Sequence, residues 1–256
     1  MHYLMAGLEP WVFWLAIAIT LFGGIVKGAV GFAMPMIVIS GFSSIMPAEL
    51  ALAGLILPTL ATNISQAFRQ GAAAAWGSVR DYWRMILLIS IFILISAQFM
   101  PQIPAGVLYL ILGVPITGYA ALELLGRQLR FRIEHRRRAE VATGIVGGLY
   151  GGISGVWGPP VLVYLLSIGA PKADVIRVQG VIFLIGAVVL LVAHMQSGVV
   201  NAVTLPFSAA MILPGMVGLW LGYGLQDRLD AARFRRWTLV VLALTGLNLI
   251  RRALMM

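Results

Sequence analysis

Residues 10–42 form an apolar stretch that fits neither one membrane-crossing helix nor two. Between Glu9 and Glu49 a single charged side chain occurs, Lys27. As one helix, residues 10–42 would reach about 50 Å, against a hydrocarbon core of about 30 Å. Two full crossings with a turn need roughly 40 residues or more. Two short helices meeting at a break fit the length, and "GGIVKGAVGFAMP" supplies the glycine and proline for that break. In hydrocarbon every backbone N–H and C=O needs a partner. Such a break therefore survives only inside protein or beside a wet cavity.

The same stretch recurs. Gly24, Gly28, Gly31, Pro35 and Pro47 reappear 124 positions later as Gly148, Gly152, Gly155, Pro159 and Pro171, within "GGLYGGISGVWGPP". Thr117–Gly118 matches Thr245–Gly246 at a shift of 128. The spacing divides the chain into a repeat at 1–125, a linker at 126–140 and a second repeat at 141–256. Each half reads as one long Gly-rich segment and three plainer helices. These are 10–42, 49–68, 83–100 and 105–125, then 141–169, 173–195, 203–225 and 236–252.

Composition fixes the solvent. The chain is 61% hydrophobic and 11% charged, where soluble domains carry about 25% charged residues. The polar/apolar alternation of a membrane β-barrel is absent. The expected fold class is an all-α integral membrane protein of two tandem repeats. The net charge is +9, and the basic residues sit at segment ends, where they set orientation and meet anionic lipid. The lipid bilayer is thus a partner, and no soluble domain is left to bind nucleic acid. Cysteine is absent, which excludes disulfide and thiolate chemistry. The first apolar segment lacks the basic start of a signal peptide and reads as retained.

Charge also predicts topology. The linker "GRQLRFRIEHRRRAE" carries six arginines and belongs in the cytoplasm. Counting back, the loop with Arg69, Arg80 and Arg84 is inside and 100–106 outside. In the second half the polarity swaps: 196–201 is uncharged, and 226–236 holds Arg228, Arg233, Arg235 and Arg236. The halves therefore read as inverted, with each Gly-rich segment starting and ending on one side of the membrane. Arg251 and Arg252 count against this, and a parallel repeat is the alternative.

Two breaks at equivalent places in inverted halves point to one site between them near the midplane. Glycine lets the backbone approach a ligand, and a helix starting at Pro35 or Pro159 offers free N–H groups and a positive dipole end to an anion. The alternative is that the glycines serve close helix packing. The candidate substrate-binding residues are Lys27, Gly28, Gly31, Phe32, Ala33, Met34 and Pro35 at the first break. At the second they are Gly152, Ser154, Gly155, Val156, Trp157, Gly158 and Pro159. A lysine in apolar sequence is costly and functional by default, unless it snorkels. Arg177 either pairs with Asp174 across i,i+3 or points inward. Thr59, Asn63, Gln66 and Gln70 share a helical face, which suits a lined pathway or interhelical hydrogen bonds; Asn63, Gln66 and Gln179 join the candidates.

"GISG" also allows an enzyme reading. Rhomboid-type intramembrane proteases place a serine in such a sequence with a histidine on another helix, which would make Ser154 and His194 a dyad. His194 ends its helix in "AHMQSG", and its expected place near the surface is far from Ser154. No carboxylate pair, phosphate-binding loop or metal cluster involving His2 or His135 is present in the sequence, so no cofactor and no metal are expected. An anion channel is a further alternative.

The doubled pattern "GGIVKGAVGFAMP" and "GGLYGGISGVWGPP" resembles the TauE/SafE family of sulfite exporter-type transporters, over about residues 10–252. Phe32-Ala33-Met34 and Val156-Trp157-Gly158 stand where members carry a G-G-G-like run. The resemblance implies a secondary transporter, an exporter of a small sulfur-containing anion such as sulfite or an organosulfonate, in a bacterial cytoplasmic (inner) membrane. By that reading backbone N–H groups at both breaks hold the anion and Lys27 or Arg177 balances its charge. A homodimer is compatible with it.

Overall fold

The computed structural model describes residues 5–127, 134–225 and 231–256. Part of the basic linker, His2 and Arg228 lie outside these, as do the side chains of Arg233 and Arg235. Among the described residues there are twelve α-helices and no strand. Seven helices are long and apolar enough to cross a membrane, so the chain is an integral membrane protein.

The first Gly-rich segment is α1 (Pro10–Val30) followed by α2 (Met34–Ile45). The expected two short helices are in fact one long and one short: 21 and 12 residues, or about 31 and 18 Å. Gly31 ends α1 at φ +88°, its N–H donating to Lys27 O at 2.7 Å. This left-handed cap needs no Cβ. Pro35 lies in the first turn of α2, where a missing N–H costs nothing. The helices then run back to back: a Cβ on Gly23 would meet Val38 at 3.2 Å, and Gly41 faces Ile19. The second segment repeats this plan. α7 (Arg136–Ser154) ends at Gly155, φ +70°, whose N–H donates to Gly151 O at 2.7 Å, and α8 (Gly158–Ser167) has Pro159 in its first turn. Pro47 and Pro171 are the N-caps of α3 (Ala48–Ala67) and α9 (Lys172–Gln196).

The remaining elements are α4 (Ala72–Asp81), α5 (Trp83–Ala97), α6 (Ala105–Leu124), α10 (Thr204–Ala210), α11 (Ile212–Leu225) and α12 (Ala231–Leu254). Helix α4 falls in residues 69–84, expected as a loop. With four alanines in its ten residues and few larger apolar anchors it is short, and it lies beside α9. Residues 203–225 split at Met211 because Pro214 withholds an N–H from the turn before it.

Small residues decide the pairing. On α1, Gly24 and Gly28 meet Gly215, Gly218, Leu219 and Gly222 of α11, so closely that a Cβ on Gly28 would overlap the Leu219 carbonyl. On α7, Gly148 and Gly152 meet Ile89, Phe92, Ile93 and Ser96 of α5. In both pairs residue numbers rise together, so each pair is parallel. Gly113 and Thr117 of α6 meet Ile250 and Gly246 of α12, which makes that pair antiparallel. Gly180 lies against Gln66 and Ala67, and Asn63 donates to Phe183 O, so α3 and α9 are antiparallel too.

At the linker end, Arg84 of α5 faces Glu140 of α7 at 3.9 Å and Arg136 donates to Tyr164 of α8. At the far end, Gln98 reaches Ala193 O. There Arg252 donates to Ser43 O and lies over the Tyr109 ring, 4.7 Å from its centre. Trp76 and Trp83 face outward at the linker end and Trp11 and Trp14 at the other, the placement of interfacial tryptophans.

Candidate functional site

Both helix breaks wall one small cavity. Phe32, Ala33, Pro35 and Met36 come from the first break; Gly155, Val156, Trp157 and Gly158 come from the second. Thr59 and Phe183, each near the middle of its long helix, complete the lining. The volume is about 20 Å³. One water needs roughly 10–15 Å³, so the site has room for about one water molecule.

No side chain caps the start of α2 or α8, and both open on this cavity. Two of its lining side chains also carry polar atoms without a hydrogen-bond partner, Thr59 Oγ1 and Trp157 Nε1. Each is buried, and an unpaired buried donor costs about 1–3 kcal/mol. Ala33 holds φ +77°, a conformation costing a side-chain-bearing residue roughly 1–2 kcal/mol. The strain stands at the break itself.

Lys27 lies one turn before the end of α1 and is 1% exposed. Its ammonium donates to Thr62 Oγ1 at 2.9 Å and to Asn63 Oδ1. Among the described residues no carboxylate pairs with it. Asn63 passes the link on through Nδ2 to Phe183 O at 2.9 Å. Thr59 lies one turn of α3 before Asn63, so the ammonium is joined to the cavity wall through one helix face. Lys27 does not snorkel.

The other candidates divide. Gln66 donates to Gly31 O at 2.9 Å and to Ile176 O at 3.0 Å, holding the end of α1 against α9. Gly31 is the helix cap. Met34 is buried over Thr62, 3.6 Å from its hydroxyl. Gln179 is 1% exposed with Nε2 unpaired, on the face of α9 that meets α3. Pro159 borders a neighbouring groove. Gly28 and Gly152 are taken up by helix packing, the alternative weighed for them. Arg177 takes the first of its two options: it pairs with Asp174 at 2.8 Å and donates to Ser78 and Gln70, bracing α4 on α9. Met36 and Phe183 line the cavity without having been singled out. Neither apolar type, at ordinary helical spacing, distinguishes itself from core. Glu140, 5% exposed, is a buried acid that sequence position beside three arginines disguised.

The Ser154–His194 dyad is not formed. Ser154 donates to Tyr150 O at 2.7 Å and accepts from Val156 N at 3.0 Å. His194 is buried rather than near the surface, and its Nε2 contacts Gly152 O at 2.8 Å. A carbonyl only accepts, so Nε2 carries the proton and is no base for a serine. The arrangement instead parallels Gln66 and Gly31: the long helix of each half bonds a carbonyl at the end of the Gly-rich helix.

The chain matches the family described as Sulfite exporter TauE/SafE over residues 16–249. No curated protein and no solved structure matches it. With nearly its whole length covered by that match, and with apolar helices long enough to span a bilayer, the chain belongs to the TauE/SafE family of sulfite exporter-type membrane transporters.

Proposed function

We propose that this protein is a secondary transporter that exports a small sulfur-containing anion, sulfite or an organosulfonate, across a bacterial cytoplasmic membrane. The observation that carries this reading is the cavity walled by both breaks, beside a buried lysine with no carboxylate partner. The uncapped starts of α2 and α8 supply positive dipole ends, with N–H donors at Met34, Met36 and Gly158, since Pro35, Pro159 and Pro160 carry none. Thr59 and Trp157 supply further donors. Lys27 supplies a full charge, which a bound anion offsets.

The halves act as inverted repeats in this reading. Antiparallel pairing of α3 with α9, and of α6 with α12, supports inversion, because a parallel repeat would align equivalent helices. The basic linker then lies in the cytoplasm. Arg252, which counted against inversion, has a structural use on Ser43 and Tyr109. A cavity this small holds an anion only when the breaks part, first toward one side and then the other.

The test is uptake of labelled sulfite into proteoliposomes, competed by thiosulfate, sulfoacetate and taurine. Saturable flux with one effective competitor supports the reading; absence of flux under any imposed gradient would sink it. Inversion has its own check, since the chain lacks cysteine. Arg80→Cys and Gln196→Cys should be labelled from opposite sides of the membrane. Labelling from the same side refutes the topology.

A further inference from the structure

Two cavities at the linker end run into one another. The outer, of 510 Å³, is walled by Glu134, His135, Thr143, Tyr164 and Ser167. The inner, of 410 Å³, is walled by Met36, Ile116, Leu122, Val156 and Pro159. Val146, Pro160 and Val163 line both, so together they form one groove along α7 and α8, with α6 closing its deep end. Polar side chains stand at the outer end and apolar ones at the inner.

The groove has the length of one leaflet. From His135 to Tyr150, the limits of its α7 wall, the rise is about 22 Å. Half of a bilayer with its headgroup region is also about 20–22 Å. Beside the outer rim three consecutive exposed arginines, Arg136, Arg137 and Arg138, outnumber Glu134, the one exposed carboxylate there among the described residues. Arg136 Nε donates to the hydroxyl of Tyr164, at 3.3 Å, which holds its guanidinium against a residue of the groove wall. Glu140 is buried, faces Arg84 at 3.9 Å and also acts on Arg136; with Arg84 counted, four arginines still outnumber Glu134 and Glu140.

A ligand that fits has an anionic head and one long apolar tail. A small inorganic anion would leave the inner cavity empty. A zwitterionic lipid would leave the excess positive charge unmatched. We propose that this groove binds an anionic phospholipid, its phosphate at the rim beside Arg136 and Arg138 and one acyl chain running past Val146, Pro160 and Val163 to Ile116 and Met36. Met36 and Val156 wall both the groove and the midplane cavity, so the end of the acyl chain abuts the wall of the transport site.

The test needs no flux and so stands apart from the transport reading. The purified full chain in detergent is titrated with dioleoyl phosphatidylglycerol and dioleoyl phosphatidylcholine, with bound lipid counted by native mass spectrometry. Phosphatidylglycerol should bind at least roughly tenfold more tightly, because each basic residue near an anionic headgroup adds to the attraction. Replacing the three arginines by glutamine should bring the two lipids to within about twofold. Val146→Trp, at a position already 55% exposed, blocks the waist of the groove and should weaken both. Equal binding of the two lipids by the unaltered protein overturns the anionic headgroup. Phosphatidylglycerol binding that survives Val146→Trp unchanged overturns the place of the acyl chain.

Discussion

The two helix breaks share a scaffold and differ in chemistry. At each, a left-handed glycine ends a long helix, a proline opens a short one, and two glycines a turn apart pack the long helix on a partner. The first break carries Lys27 and the strained Ala33. The residue corresponding to Lys27 in the second is Gly151, and a Cβ there would meet the Trp157 ring at 2.7 Å. Absence of a side chain on one helix thus makes room for an indole from the next. The first break thus has a buried cation behind it, and the second puts an aromatic ring on the cavity wall.

The sharpest way to break this comparison is to remove the cation. Lys27→Met should leave the fold intact, because an apolar side chain of similar length relieves an unpaired buried charge. Flux should fall at least thirtyfold, corresponding to about 2–5 kcal/mol for a buried charged contact. Unchanged flux in proteoliposomes would show that the charge belongs to folding and not to the site.

The shared frame is tested by backbone-level damage in both halves. Gly28→Val and Gly152→Val each drive a side chain into a neighbouring helix, and each should destabilise by about 1–3 kcal/mol. Thermal unfolding in detergent measures this. A large effect in one half alone would show that the two frames do not bear load equally.

Smaller changes sharpen the difference between the breaks. Trp157→Phe keeps the ring and deletes the unpaired Nε1 donor. If a substrate oxygen accepts from it, apparent affinity should weaken about fivefold, the worth of about 1 kcal/mol; unaltered affinity would reduce Trp157 to a wall. Ala33→Gly removes left-handed strain and should raise stability by up to about 1 kcal/mol. A loss of stability there would mean that the alanine methyl packs better than the backbone suffers.

Much of this architecture was readable from the chain. The span helices, the two breaks and the burial demand on Lys27 follow from apolar length and from glycine and proline, which act through local backbone geometry. Their consequences are the same wherever the rest of the chain goes. Helix α4 escaped notice because ten residues with few apolar anchors look like a loop until α9 lies beside them. The unequal lengths of α1 and α2 escaped for a similar reason: a break-rich stretch does not say at which glycine it turns.

What only the tertiary structure decided is which like-looking residues do which work. Gly28 and Gly31 are three positions apart in the same motif, yet one is pressed against α11 and the other caps a helix. Arg177 and Lys27 are both cations in apolar surroundings. Arg177 found Asp174, Ser78 and Gln70 at the end of the bundle, and Lys27 found only neutral oxygens inside it. Local sequence determines how the backbone bends, because sterics act within a few residues. It does not determine what a long side chain meets, because that partner arrives from a helix thirty-five or a hundred positions away.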